Sequence, residues 1–193
     1  MQNSNLTNKT LANCSLSIKD MAVIAVMTAI LCIIGPWSLT IPFSPVPLSL
    51  CSMGIYFAVS LLGGKRGSIC TILYLLLGSC GLPVFSGFSG GLGKLCGPTG
   101  GYLIGYFFLA VICGFFLKHF PTNVFLQITG FLLGTAILYL FGTLWLQFQM
   151  QLTFLNALAL GVIPYIPGDI VKLILAISIA SPIKKRLKRA NLC

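Results

Sequence analysis

Only two carboxylate side chains, Asp20 and Asp169, occur in this chain of 193 residues, and there is no glutamate. Soluble domains carry about 25% charged residues. Here charged residues make up 7% of the chain and hydrophobic ones 57%. A water-facing surface cannot be assembled from that supply, and hydrophobicity this high also excludes a disordered chain. Twelve Lys and Arg residues give a net charge of +10. They sit at the ends of long apolar runs rather than on one soluble basic face, which argues against a nucleic-acid partner. The class that remains is an all-α, polytopic membrane protein. Its length accommodates about six spans of ~20 residues with their loops.

The same shortage argues against an energy source within the chain. There is no G-x-x-x-x-G-K-[ST] phosphate loop and no long polar segment to hold one. If transport is driven by ATP, another subunit hydrolyses it. The eight cysteines form no C-x-x-C pair and lie mostly in apolar runs, where a thiol packs as a small apolar group. His119, the only histidine, follows Lys118 at a helix end. No metal site and no cofactor is expected.

Glycine, proline and charge divide the chain. A polar tail, residues 1–17, carries three N-x-[ST] matches at Asn5, Asn8 and Asn13 that chance explains. The first helix is expected over 18–34. Gly35-Pro36-Trp37-Ser38 makes a poor signal-peptidase site, so this helix is expected to be retained. A loop with Pro36, Pro42, Pro45 and Pro47 cannot be helical. Further helices are expected over 48–62, 68–80, 99–117, 124–146 and 168–179. Gly63-Gly64-Lys65-Arg66-Gly67 separates the second from the third, and a glycine-rich loop, 85–98, precedes the fourth. The apolar stretch 152–163 is open to being a seventh, re-entrant or interfacial piece. The membrane domain is thus 18–183, followed by a basic tail, 184–193.

Charge orients the six spans. With the N-terminus inside, Lys9, Lys19, Lys65, Arg66, Lys118, Lys184, Lys185, Arg186, Lys188 and Arg189 are all cytoplasmic. Only Lys94 falls in an outer loop, and Lys172 lies within the last helix. The positive-inside bias therefore puts both termini in the cytoplasm. The basic tail can also hold anionic lipid headgroups. The long Gly- and Pro-rich loops then share the outer face. Irregular backbone there is tolerated where it lines a cavity, so an outward-opening solute pocket is expected.

Asp169 and Lys172 stand three apart at the outer start of the last helix and share a face. Ionisable groups in a span are costly and usually functional. The pair is either a self-neutralising structural feature or a ligand site, with Asp169 accepting from N–H groups and Lys172 donating to a carbonyl or carboxylate. Gly97-Pro98-Thr99-Gly100-Gly101 opens the fourth helix. Its free N–H groups suit an anion or a carbonyl oxygen, though a plain loop-to-helix cap explains the run equally well. Gly101-x-x-x-Gly105 and Gly130-x-x-x-Gly134 fit close helix packing. Ala22, Ala25 and Ala29 form a small-residue stripe on the first helix, facing a neighbour inside the chain or in another subunit.

Several segments resemble the BioY family. They are Ile41-Pro42-Phe43-Ser44-Pro45-Val46-Pro47, Lys65-Arg66-Gly67, Gly81-Leu82-Pro83-Val84-Phe85, Gly97-Pro98-Thr99-Gly100-Gly101-Tyr102-Leu103-Ile104-Gly105, and Pro164-Tyr165-Ile166-Pro167-Gly168-Asp169 followed by Lys172. The resemblance implies a six-helix biotin-capture subunit, the S component of an energy-coupling factor transporter in the cell membrane. It implies a vitamin-uptake protein rather than an enzyme. Its implied partners are a transmembrane coupling subunit and a pair of cytoplasmic ATPases. It further implies that Asp169 and Lys172 contact biotin and that Ala25 and Ala29 dock on the coupling subunit. Tyr102 and Phe85 are candidates to pack on the bicyclic ring. Ser86 or Ser89 is a candidate for a further hydrogen bond, and Lys94 or Lys172 for the carboxylate. The alternatives are an S component for a different vitamin, a membrane-embedded enzyme using Asp169 and Lys172 as an acid–base pair, and a channel or assembly factor.

Overall fold

Ile18–Ile34, free of Gly and Pro, forms helix α1, which ends at Gly35 where Pro36 follows. The computed structural model describes residues 17–39, 44–121 and 123–189. The tail through residue 16, Ile41-Pro42-Phe43 of the proline-rich motif and the last four residues lie outside these. Ser38–Leu39 (β1) and Leu48–Ser49 (β2) close a small antiparallel hairpin, with Ser38 opposite Ser49. The proline content of this loop gave no sign of a paired strand. Such two-residue strands carry too little pattern to read.

Helix α2, Cys51–Ser79, covers what the sequence suggested were two separate helices. It is broken at one residue, Gly63, whose φ of 79° and ψ of 175° suit glycine. The chain folds back there: a Cβ on Gly67 would lie 2.8 Å from the Val59 Cα, a contact impossible along a straight helix. Residues 51–62 and 64–79 are therefore antiparallel arms. Only one residue of Gly63-Gly64-Lys65-Arg66-Gly67 leaves the helix, and the next, Gly64, packs against the Gly114 backbone.

A short helix, α3 (Leu92–Cys96), interrupts the glycine-rich loop before α4, Gly100–His119. Helix α5, Val124–Met150, starts where Asn123 Oδ1 accepts from the amides of Phe125 (3.1 Å) and Leu126 (3.4 Å). The apolar stretch 152–163 resolves into α6, Phe154–Gly161, and a 3-10 turn, Ile163–Tyr165. Helix α7, Ile166–Arg189, then runs ten residues past the expected end at 179, through Pro182, so that its backbone includes the basic run 184–189.

The α4–α5 interface is made by glycines. Gly101 meets Trp145 and the Phe141 carbonyl, Gly105 meets Leu138, Gly130 meets Phe116, and Gly134 meets Cys113. Buried hydroxyls bond along their own helices: Thr28 to the Ile24 carbonyl (2.8 Å) and Thr71 to that of Gly67 (3.0 Å). The outer surface is apolar, with Leu76, Phe115, Leu132, Leu144 and Ile174 about half exposed. Three stretches are long and apolar enough to cross a bilayer: Gly100–His119, Val124–Met150 and Phe154–Ala180.

Charge collects at one end of the bundle. Arg66, just after the break, pairs with Asp20 near the start of α1 at 2.6 Å. The Ser17 amide donates to the other Asp20 oxygen at 3.2 Å, so Asp20 is an interfacial structural group. The connecting segments 35–39, 44–50, 80–99 and 151–165 gather at the opposite end. The Gly87 amide donates to the Pro36 carbonyl (2.9 Å), Ser44 Oγ to Leu160 (2.8 Å) and Trp145 Nε1 to Gly97 (2.9 Å).

The Gly64–Gly114 contact supports a stability test. A Cβ on Gly64 would sit 2.5 Å from the Gly114 Cα, and the atom in its way is backbone. Gly114→Val is expected to cost about 3 kcal/mol and to lower the midpoint of thermal unfolding in detergent by several degrees. An unchanged midpoint would contradict the hairpin packing.

Candidate functional site

The loop end holds a cavity with about 50 Å3 of room for water-sized molecules, well below the roughly 300–1,000 Å3 of an open small-ligand site. The hairpin segment contributes Val46, Pro47, Leu48 and Ser49 to its lining. That segment is tied down from several sides. Tyr165 donates to Ser44 Oγ (2.7 Å) and lies against the Val46 carbonyl, and Lys172 Nζ donates to the Ser49 carbonyl (2.6 Å).

Asp169 and Lys172 line the cavity beside the hairpin segment. Both are buried, 8% and 6% exposed, and their charges meet at 2.8 Å. Their i, i+3 spacing on α7 makes that contact. Two hydroxyls complete the cluster: Tyr139 donates to Asp169 Oδ2 at 2.6 Å, and Ser52 to Oδ1 at 3.4 Å. Lys172 also reaches Ser52 Oγ at 3.4 Å. Burying two charges is favourable only when such partners replace water. A second cavity, with about 230 Å3 of such room, lies between α5 and α7, and Tyr139 and Asp169 form the wall shared by the two.

The other expected residues divide. Tyr102 lines the cavity, its hydroxyl donating to the Gly161 carbonyl at 2.8 Å. Gly100 and Gly101 do not line it. A Cβ on Gly100 would collide with the Leu95 carbonyl, so both glycines serve close backbone packing. Phe85 is fully buried and set edge-on to Tyr74, with ring centroids 5.6 Å apart, so it holds its loop and has no face free for a ligand ring. Ser89 bonds the Ser86 carbonyl at 2.8 Å, and Ser86 is the one that lines the cavity. Lys94 is half-buried on α3 and is not among the lining residues. Ala22, Ala25 and Ala29 are exposed on α1, while Ile24, Met27 and Leu31 of the same helix are buried. The stripe therefore packs on nothing in the described chain.

Sequence reasoning missed Ser49, Ser52, Tyr106 and Tyr139, which also line the cavity. Each is an uncharged residue within or beside a long apolar run. A hydroxyl spaced along an otherwise apolar helix is the signal that could have found Tyr139 and Ser52.

The chain as a whole is similar to known proteins. The profile of the BioY family matches residues 5–189. The chain is 36% identical over 176 residues to the biotin transporter BioY of Lactococcus lactis subsp. cremoris, covering 88% of this chain and 92% of the relative. It is 34% identical over 160 residues to the biotin transporter BioY of Thermotoga maritima, covering 83% and 92%. The crystal structure of the S-component for biotin from an ECF-type ABC transporter superposes with a TM-score of 0.81 at 35% identity, over 89% of this chain and 95% of that one. With the profile matched over nearly its whole length and relatives of more than 30% identity covered almost end to end, the chain belongs to the BioY family.

Proposed function

We propose that this chain is a biotin-binding S component of an energy-coupling factor transporter, a multi-pass cell-membrane protein and not an enzyme. The observation that carries the reading is the buried Asp169–Lys172 pair lining the loop-end cavity. Biotin's ureido ring has two N–H donors and one carbonyl. Asp169 accepts from the N–H groups as they displace Ser52 or Tyr139, and Lys172 donates to the carbonyl. The tyrosine-rich wall, with Tyr102 and Tyr106, packs on the bicyclic rings.

The six helical passes of the bundle act as six spans. The end bearing Lys19, Lys65, Arg66 and Lys118 faces the cytoplasm together with both termini, and the basic tail lies on anionic lipid. The cavity then opens outward and takes biotin from outside. Transport uses a coupling subunit, docked on α1 at Ala22, Ala25 and Ala29, with its pair of cytoplasmic ATPases.

Reconstitution tests this. In liposomes holding this chain and an energy-coupling module, labelled biotin is expected to accumulate only with ATP, and unlabelled biotin is expected to compete. Competition by a different vitamin in place of biotin would reassign the substrate. Accumulation that needs neither module nor ATP would remove the coupling partners.

A further inference from the structure

The cavity between α5 and α7 offers about 230 Å3 of room for water-sized molecules, against about 50 Å3 at the loop end. Leu132 and Ala136 of α5 and Ile166, Ile170 and Leu173 of α7 give it an apolar lining. Leu132, Ile166 and Ile170 are each about half exposed, so the cavity opens on the outer surface of the bundle. The polar groups at its back need no guest. Thr135 Oγ1 donates to the Phe131 carbonyl at 2.8 Å and lies 2.7 Å from the Tyr56 hydroxyl. Tyr139 donates to Asp169 Oδ2 at 2.6 Å, and Lys172 Nζ to Oδ1 at 2.8 Å. An apolar space with no polar group to spare does not hold water. Left empty, it forfeits the contacts of every side chain around it. Its occupant is therefore apolar.

The depth of the cavity says where that occupant comes from. Val124–Met150 and Phe154–Ala180 are each long and apolar enough to cross a bilayer. Tyr139 and Asp169 lie more than ten positions from either end of these two stretches, or more than about 15 Å at ~1.5 Å per residue. In a hydrocarbon core ~30 Å thick, that is the level of acyl tails and not of headgroups. Among the described residues, the Tyr139–Asp169 bond is the one side-chain hydrogen bond that ties α5 to α7. The gap beside that tie is open to the bilayer.

We infer that this cavity is a lateral site for one acyl chain of a membrane lipid, which enters between Leu132 and Ile170 and packs behind Tyr139. Tyr139 is then held between the chain and Asp169. The chain completes, from the membrane side, the wall that the two cavities share, and keeps water from reaching the carboxylate sideways. The site stands whichever ligand the loop-end cavity takes.

Photolabelling of the full-length chain in liposomes tests this, with a phosphatidylcholine that carries a diazirine midway along one acyl chain. Surrounding lipid labels outward residues such as Leu133 and Leu140, which are half exposed and line neither cavity. Thr135 and Leu173 are 9% and 6% exposed and line only the cavity between α5 and α7. Ala136→Phe fills that cavity with a ring of the protein's own. All four residues are expected to be labelled in the wild type. In Ala136→Phe, Thr135 and Leu173 are expected to lose their label, while Leu133 and Leu140 keep theirs. Should Ala136→Phe not fold, Ala136→Leu is expected to show the same selective loss. Wild-type labelling confined to Leu133 and Leu140 overturns the site, and so does labelling of Thr135 and Leu173 that the filled variant leaves unchanged. Labelling of that pair abolished by biotin would give the cavity to the ligand's own arm. Labelling that falls as chains are crowded in the bilayer would give it to a second copy. Either result overturns a lipid occupant.

Discussion

Lys172→Ala and Asp169→Asn each weaken biotin binding by at least about a hundredfold. Removing one member of a buried ion pair costs ~3–5 kcal/mol, because its partner stays behind in a site with little water. In the alanine variant the Asp169 carboxylate keeps Tyr139 and Ser52 but loses its counter-charge, and the Ser49 carbonyl loses its donor. The hairpin segment then loses a tie to α7 as the charge pair is altered. In the asparagine variant an NH2 group takes one of the two oxygen positions that would face ureido N–H donors. It opposes them, and Lys172 is left unpaired. Asp20→Asn is the control. It removes the chain's other acid and breaks the Arg66 pair at the far end of the bundle, so it is expected to leave affinity within about twofold. Affinity unchanged in both Asp169→Asn and Lys172→Ala would move the ligand elsewhere.

The second large effect separates binding from transport. Ala25→Trp is expected to abolish ATP-driven uptake and co-purification with the coupling subunit, while biotin affinity stays within about twofold. The stripe at Ala22, Ala25 and Ala29 is exposed, on the side of α1 away from its buried residues Ile24, Met27, Thr28 and Leu31. An indole there disturbs no described contact, yet fills the space into which a partner helix must come close. Loss of binding together with uptake would place the stripe inside the fold. Uptake unchanged would place the coupling contact on another helix.

These effects trace back to what the residues announce on their own. An acid and a lysine three apart in an apolar run cannot be ignored in sequence, since burial of either needs the other, and the structure brings them together as the spacing implies. Tyr139 and Ser52 give no such warning. Each bonds Asp169 across 30 and 117 positions respectively, and a hydroxyl within an apolar helix is as easily satisfied by its own backbone, as Thr28 and Thr71 are. The glycines mislead in the other direction. Gly100 and Gly101 have the look of a ligand cradle, but their missing side chains make room for Leu95, Phe141 and Trp145. Helix boundaries were legible where Pro or charge stops a run, as at the end of α1. They were not legible at Gly63, where only the three-dimensional return of the chain distinguishes a one-residue break from a loop.

The central claim is that biotin occupies the cavity over Asp169 and Lys172. Isothermal titration of the purified chain with biotin tests it most directly, run beside Asp169→Asn protein of equal thermal stability. The expected result is saturable binding of one biotin per chain to the wild type, with the heat largely lost in the variant. A well-folded wild-type chain that takes up no biotin, or a variant that binds it as tightly as the wild type, would contradict the claim.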